Sequence, residues 1–148
     1  MGDTFQPAHL MVLFFIVAIF LVPVIFYLLT LQGVLNKCAP TSRTMEPGMV
    51  WLLLVPFFNL IWNFFVVMNI AKSLGNEYAR RRIPSPEPAP GQPIGLAMCI
   101  CACCGIIPFL GILAGLANLV LWIIYWVKIA EYSRSLDMPH IAIPPPAV

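Results

Sequence analysis

Cys99, Cys101, Cys103 and Cys104 fall within one short apolar stretch, the densest cluster of metal-binding side chains in the chain. Four thiolates can hold Zn, Cu(I) or an iron–sulfur cluster, but a tetrahedral site needs ligands that converge from several directions. On a helix Cys99 and Cys103 stack at i,i+4 and Cys101 and Cys104 at i,i+3, so the four thiols spread around the helix. Ala97, Ala102 and Gly105 stand among them. The pattern therefore favours small hydrophobic residues chosen for close packing, with no metal and no cofactor expected. Cys38 stands alone in a loop, without a nearby partner for a disulfide.

Asn59 and Asn63 are a second candidate, four residues apart and so on one helical face within an apolar run. Amides at membrane depth either hydrogen-bond a neighbouring helix or line a path for a solute. No Asp, Glu, His or Arg accompanies them, which favours helix packing. Catalysis finds no footing: His9 begins an apolar run, His140 lies in a proline-rich tail, and there is no paired carboxylate, phosphate loop or Gly-x-Ser-x-Gly. An enzyme is not expected.

Three apolar stretches must position these residues: His9–Gln32, Gly48–Ala71 and Ile94–Ala130. A bilayer core about 30 Å thick takes roughly 20 helical residues. The third stretch would run about 55 Å as one helix and must fold back, with Pro108-Phe109-Leu110-Gly111 as the turn. The expectation is an all-α, polytopic membrane protein, a single domain over residues 1–148 with four transmembrane helices in two hairpins. The crossings are placed at 9–32, 48–72, 94–107 and 110–135, the third short enough to depend on its neighbours. Hydrophobic residues make up 61% of the chain and charged ones 9%, against about 25% charged in soluble domains. A net charge of +2 gives no basis for a nucleic-acid partner.

The first stretch reads as a retained crossing, not a signal peptide, because residues 1–8 carry no Lys or Arg. Pro23 within it should kink the helix near Ile19. Lys72 and Arg80–Arg82 follow the second crossing, while Lys128 and Arg134 close the fourth. With four crossings these fall on one side, so both termini are expected in the cytoplasm and the loop carrying Lys37 and Arg43 outside. Alternating proline over 83–93 predicts an extended cytoplasmic spacer, and the tail 139–148 is similar. A weak repeat relates Val55-Pro56-Phe57-Phe58-Asn59-Leu60 to Ile107-Pro108-Phe109-Leu110-Gly111-Ile112, as two duplicated hairpins would.

Pro47, Gly48, Trp51, Leu52, Pro56, Phe58, Asn59, Leu60 and Trp62, with Ser73 and Leu74 after them, form the most distinctive pattern. Trp51 is expected at headgroup depth. This stretch resembles a group of small, uncharacterised bacterial multi-pass membrane proteins sharing Pro-Gly-x-x-Trp-Leu-x-x-x-Pro-x-Phe-Asn-Leu-x-Trp. The resemblance covers about a quarter of the chain; it implies the bacterial inner membrane and supplies no activity. Gly111 and Gly115, with Asn118, make a small, partly polar stripe on the fourth helix that would let another backbone approach. The expected role is a small accessory or assembly subunit acting through helix packing, in contact with lipid and with other membrane subunits or a second copy. The alternative is an oligomeric channel or transporter for a small solute.

Overall fold

The computed structural model describes residues 7–55 and 57–138, and the expectations for the proline-rich tail, His140 and Pro56 lie outside them. The described chain is all-helical, with four α-helices and one 3-10 helix. Helix α1 spans Pro7–Lys37, beginning with a proline whose missing N–H would have had no helical partner. Pro23 does not interrupt it. From Pro7 to Val22 every residue except Ala18 is exposed, whereas Tyr27, Leu28, Leu31, Val34 and Leu35 beyond Pro23 are buried. The expected crossing at 9–32 is thus part of a longer helix that packs only after its proline.

The expected single crossing at 48–72 is two elements. A 3-10 helix covers Pro47–Leu54, and α2 covers Phe58–Arg81. Val55 is extended (φ −77°, ψ 113°), as the residue before a proline usually is, and Phe57 takes a positive φ of 65°. The pairings show that the chain reverses here. Trp62 Nε1 donates to the Met49 carbonyl (3.0 Å), Thr44 Oγ1 to the Asn69 carbonyl (2.9 Å), and Asn76 Nδ2 to the Ser42 carbonyl (3.2 Å). Rising numbers on α2 meet falling numbers before it, so the 3-10 helix and α2 form an antiparallel hairpin. The loop carrying Ser42 consequently lies beside the C-terminal half of α2. It does not lie at the opposite end from the linker, as four crossings require.

The second hairpin pairs α3 (Gln92–Cys104) with α4 (Gly111–Ser135) through the turn expected around Pro108. Gly95 is where α2, α3 and α4 come closest: a Cβ there would lie 2.4 Å from Val67 Cγ1 and 2.9 Å from Tyr125 Cε2. Helix α1 runs parallel to α4, since Tyr27 rings against Trp122 and Trp126, and Trp126 Nε1 donates to Thr30 Oγ1 (2.9 Å). Helices α1, α2 and α4 therefore all point their C-termini to one end, while the 3-10 helix and α3 run away from it.

Two helices, α1 and α4, are long and apolar enough to cross a membrane, against the four the sequence predicts. Helix α3 has 13 residues, about 20 Å. Helix α2 carries Lys72, Glu77, Arg80 and Arg81 in its second half. The linker is no free spacer: Glu87 accepts from Lys128 Nζ (2.5 Å) and from the Gly91 N–H (3.2 Å), and Pro90 and Gly91 are buried. A cation on α4 and the Gly91 turn (φ +76°) hold Pro90 against the bundle, while Pro84, Pro86 and Pro88 stay exposed.

Candidate functional site

All the Lys and Arg of the chain lie toward the end where three helix C-termini meet: Lys37, Arg43, Arg80, Arg81, Arg82 and Arg134 at it, Lys72 and Lys128 about two turns or more before it. The last carbonyls of a helix lack intrahelical donors and carry partial negative charge, so three such ends side by side call for cations. Arg81 donates to the Lys37 carbonyl (3.0 Å) and the Leu136 carbonyl (2.7 Å), joining the ends of α1 and α4 to α2. Lys37 donates to the Ser133 carbonyl (3.2 Å) and pairs with Asp137. Arg43 folds back onto the Asn36 and Cys38 carbonyls (3.2 and 2.9 Å).

Glu77 sits under this layer with its side chain 0% exposed. Arg80 grips both of its oxygens (2.6 and 3.1 Å), Arg81 Nε donates to Oε1 (2.5 Å), and the Ala39 N–H donates to Oε2 (3.0 Å). The Arg80 bonds, aided by Ala39, Arg81 and Ser42, hold its carboxyl well below the usual carboxylate range despite burial. It stays ionised at any ordinary pH, with its lone pairs engaged, so it has no proton to give and little basicity to offer. Burial first, and the Glu77 charge second, push the nearby Cys38 thiol up to about 11, which leaves it protonated and a poor nucleophile. Burial also raises Tyr78, whose hydroxyl meets Ser135 Oγ at 2.5 Å. The arrangement fastens helices together.

Nothing in the sequence reading singled out Glu77. The signal was present, because Glu77, Arg80 and Arg81 stand at i,i+3 and i,i+4 on α2. Gly95 was also missed, although Gly91 and Gly95 repeat at i,i+4 like the Gly111 and Gly115 that were chosen. Those two do not form an interhelical seam within the chain. A Cβ at Gly111 would meet the Gly105 carbonyl oxygen at 2.9 Å, within its own turn, and a Cβ at Gly115 would meet nothing.

The remaining candidates scatter toward the apolar end. Asn59 is exposed, and the Oδ1 atoms of Asn63 and Asn118 are covered without a hydrogen-bond partner. Cys99 is buried, while Cys101, Cys103 and Cys104 are half-buried around α3. No three His, Cys, Asp or Glu side chains gather in a metal-binding group among the described residues. The Trp51 indole N–H donates to Gln32 Oε1 on α1 (2.9 Å).

Comparison with known protein families, with curated proteins and with solved structures finds no match. The resemblance of the Pro47–Trp62 stretch rests on the residues quoted for it.

Proposed function

We propose that this chain is a non-enzymatic integral membrane protein that works as a small accessory or assembly subunit, joined to other membrane helices at its apolar end. The observation that carries this reading is Asn59, an amide that faces outward among exposed apolar residues; the unpaired Oδ1 atoms of Asn63 and Asn118 are covered within the chain, out of a neighbour's reach. An amide in hydrocarbon without a partner costs several kcal/mol, and a neighbouring subunit removes that cost. The bare first half of α1 offers such a neighbour about 24 Å of apolar helix. The inner membrane of a bacterium is the location that the Pro47–Trp62 resemblance implies.

Orientation on this reading follows the basic end, which the excess of Lys and Arg assigns to the cytoplasm. The end of α4 lies there too, whereas α1 crosses and carries residue 7 to the far side. That differs from the expectation of two cytoplasmic termini, because Lys37 and Arg43 share an end with Arg80–Arg82.

Native mass spectrometry of the gently solubilised protein tests the role. Wild-type protein should carry a partner or a second copy, and Asn59→Leu with Asn63→Leu should weaken that association while expression and insertion persist. A wild-type monomer with saturable solute flux in liposomes, abolished by the same pair, would replace the subunit reading with transport.

A further inference from the structure

We infer that the two hairpins are one-sided wedges that enter the bilayer from the basic end, turn within the hydrocarbon and return. Apart from the face that carries Asn59, the occupant of their exposed surface is lipid acyl chain, and α1 alone crosses completely. The inference rests on the membrane reading above and adds to it how deep each element goes.

Length is the first ground. The 3-10 helix of 8 residues descends about 16 Å at its rise of roughly 2.0 Å per residue. Helix α3, with 13 residues, descends about 20 Å. Both fall short of a core about 30 Å thick. The returning arm of the first hairpin agrees: α2 is free of charge for only about 21 Å, from Phe58 to Ala71 with Asn59, Asn63 and Asn69 inside it, before Lys72. Helix α4 is by itself long and apolar enough to cross, but it starts from a turn to which α3 descends only about 20 Å, so that turn stays within the core.

The chemistry of the turns is the second ground. Phe57 is 95% exposed and Phe109 98%, at the tips of the first and second hairpins, and Leu54, Val55, Phe58, Ile106, Ile107 and Leu110 beside them are exposed too. A loop that emerged among far-side headgroups would place these side chains in a wet, polar layer. No charged residue lies in either turn.

Irregular chain in hydrocarbon needs its N–H groups satisfied internally, and both turns meet part of that need. Val55 and Asn59 donate to Leu52 and Val55. In the second turn Gly105, Ile106 and Ile107 donate to Cys101, Cys103 and Cys104 (2.9, 3.3 and 3.1 Å). Pro108 in the second turn has no N–H to satisfy. Phe57 and Phe109 are thus the two wedge tips.

Charge supplies the direction of entry. Lys72, Arg82 and Arg134 are exposed at the opposite end from the tips, where they can meet anionic headgroups.

Site-directed labelling of the full chain in vesicles tests the wedge. In a background with the native cysteines changed to Ala, Pro40→Cys and Ser85→Cys should react with a membrane-impermeant maleimide from the same side. Phe57→Cys and Phe109→Cys should react from neither side until detergent is added. Labelling of either tip from the side opposite Ser85→Cys would overturn the wedge and restore full crossings. Hydroxyl-radical footprinting of the unaltered protein in lipid nanodiscs provides an independent measure. Phe57 and Phe109 should stay unmodified while exposed Met138 is oxidised, and oxidation of the tips at a comparable rate would overturn the proposal. Release of the wild-type chain from membranes by alkaline carbonate would instead refute the membrane reading itself.

Discussion

At the basic end one guanidinium, that of Arg81, links α2 to the ends of α1 and α4; at the other end α1 before Pro23 and the two hairpin tips touch almost nothing of their own chain. Both ends are made from helices of one bundle, yet only the first is held by directional bonds. The difference teaches where this fold is specified. Apolar contact holds the middle, from Tyr27 to Leu35, Val66 to Leu74 and Tyr125 to Ile129. Charged hydrogen bonds fix which helix ends meet. Toward the tips specificity fades, because side chains such as Phe57, Ile61 and Ile112 are apolar and exposed, suited to lipid and to any apolar neighbour alike.

The largest effect should come from Glu77. Glu77→Ala leaves the Ala39 N–H and two guanidinium groups without their shared acceptor, and breaking a buried ion pair typically costs about 3–5 kcal/mol. Equilibrium unfolding in mild detergent measures this. A loss below 1 kcal/mol, by the same principle, would dissolve the contrast between the ends. Gly95→Ala comes next. Its new methyl meets the stiff, β-branched Val67 and the ring of Tyr125, and overpacking of this kind costs about 1–3 kcal/mol. The same unfolding assay reads it, and an unchanged midpoint would mean that α3 is free to shift away from α2.

Acid should sharpen the comparison further. The folded Glu77 carboxyl titrates well below the ordinary value of 4.5, so its contribution is complete above about pH 5 and is lost as pH falls below the unfolded value. Stability followed from pH 7 to pH 3 should therefore decline in the wild type and decline less in Glu77→Gln. Identical slopes would show that other carboxylates carry the acid response. The smallest effect belongs to Gly115→Leu, where the added side chain meets open space, so intrinsic stability should stay within about 0.5 kcal/mol. A clear loss in detergent would show that α4 is covered by a second copy even there.

The turn at Pro108 and Gly111 was legible because a proline and a glycine interrupt an apolar run too long for one helix. The Pro-Phe repeat stands in the sequence, and Phe57 and Phe109 lie at the two reversals. The 3-10 helix of the first hairpin has no signature, since Gly48–Leu54 is as apolar as any membrane helix. A count of Lys and Arg by loop ignores acids and so is silent on Glu77, the residue that draws Ala39 and Arg81 together. The proline-rich linker suggested an extended rod because its composition says nothing of Lys128, its distant partner on α4. Gly95 was hidden for the same kind of reason: whether a glycine serves as a seam depends on what crosses it, and Val67 and Tyr125 are remote in sequence.

Arg81 also imposes an order in time. Its first acceptor, the Lys37 carbonyl, is already made when Arg81 leaves the ribosome, but its second, on Leu136, comes 55 residues later. Lys37 waits longer still for Ser133 and Asp137. The first hairpin can therefore dock on α1 during synthesis, while the basic end closes only when α4 is complete. A chain stopped before α4 keeps cationic groups on α1 and α2 that lack some of their acceptors, so closure of this end reports that α4 has been made. In the interval those groups are open to the α4 of another copy, which makes exchange of the last helix between neighbouring chains the characteristic error of this fold.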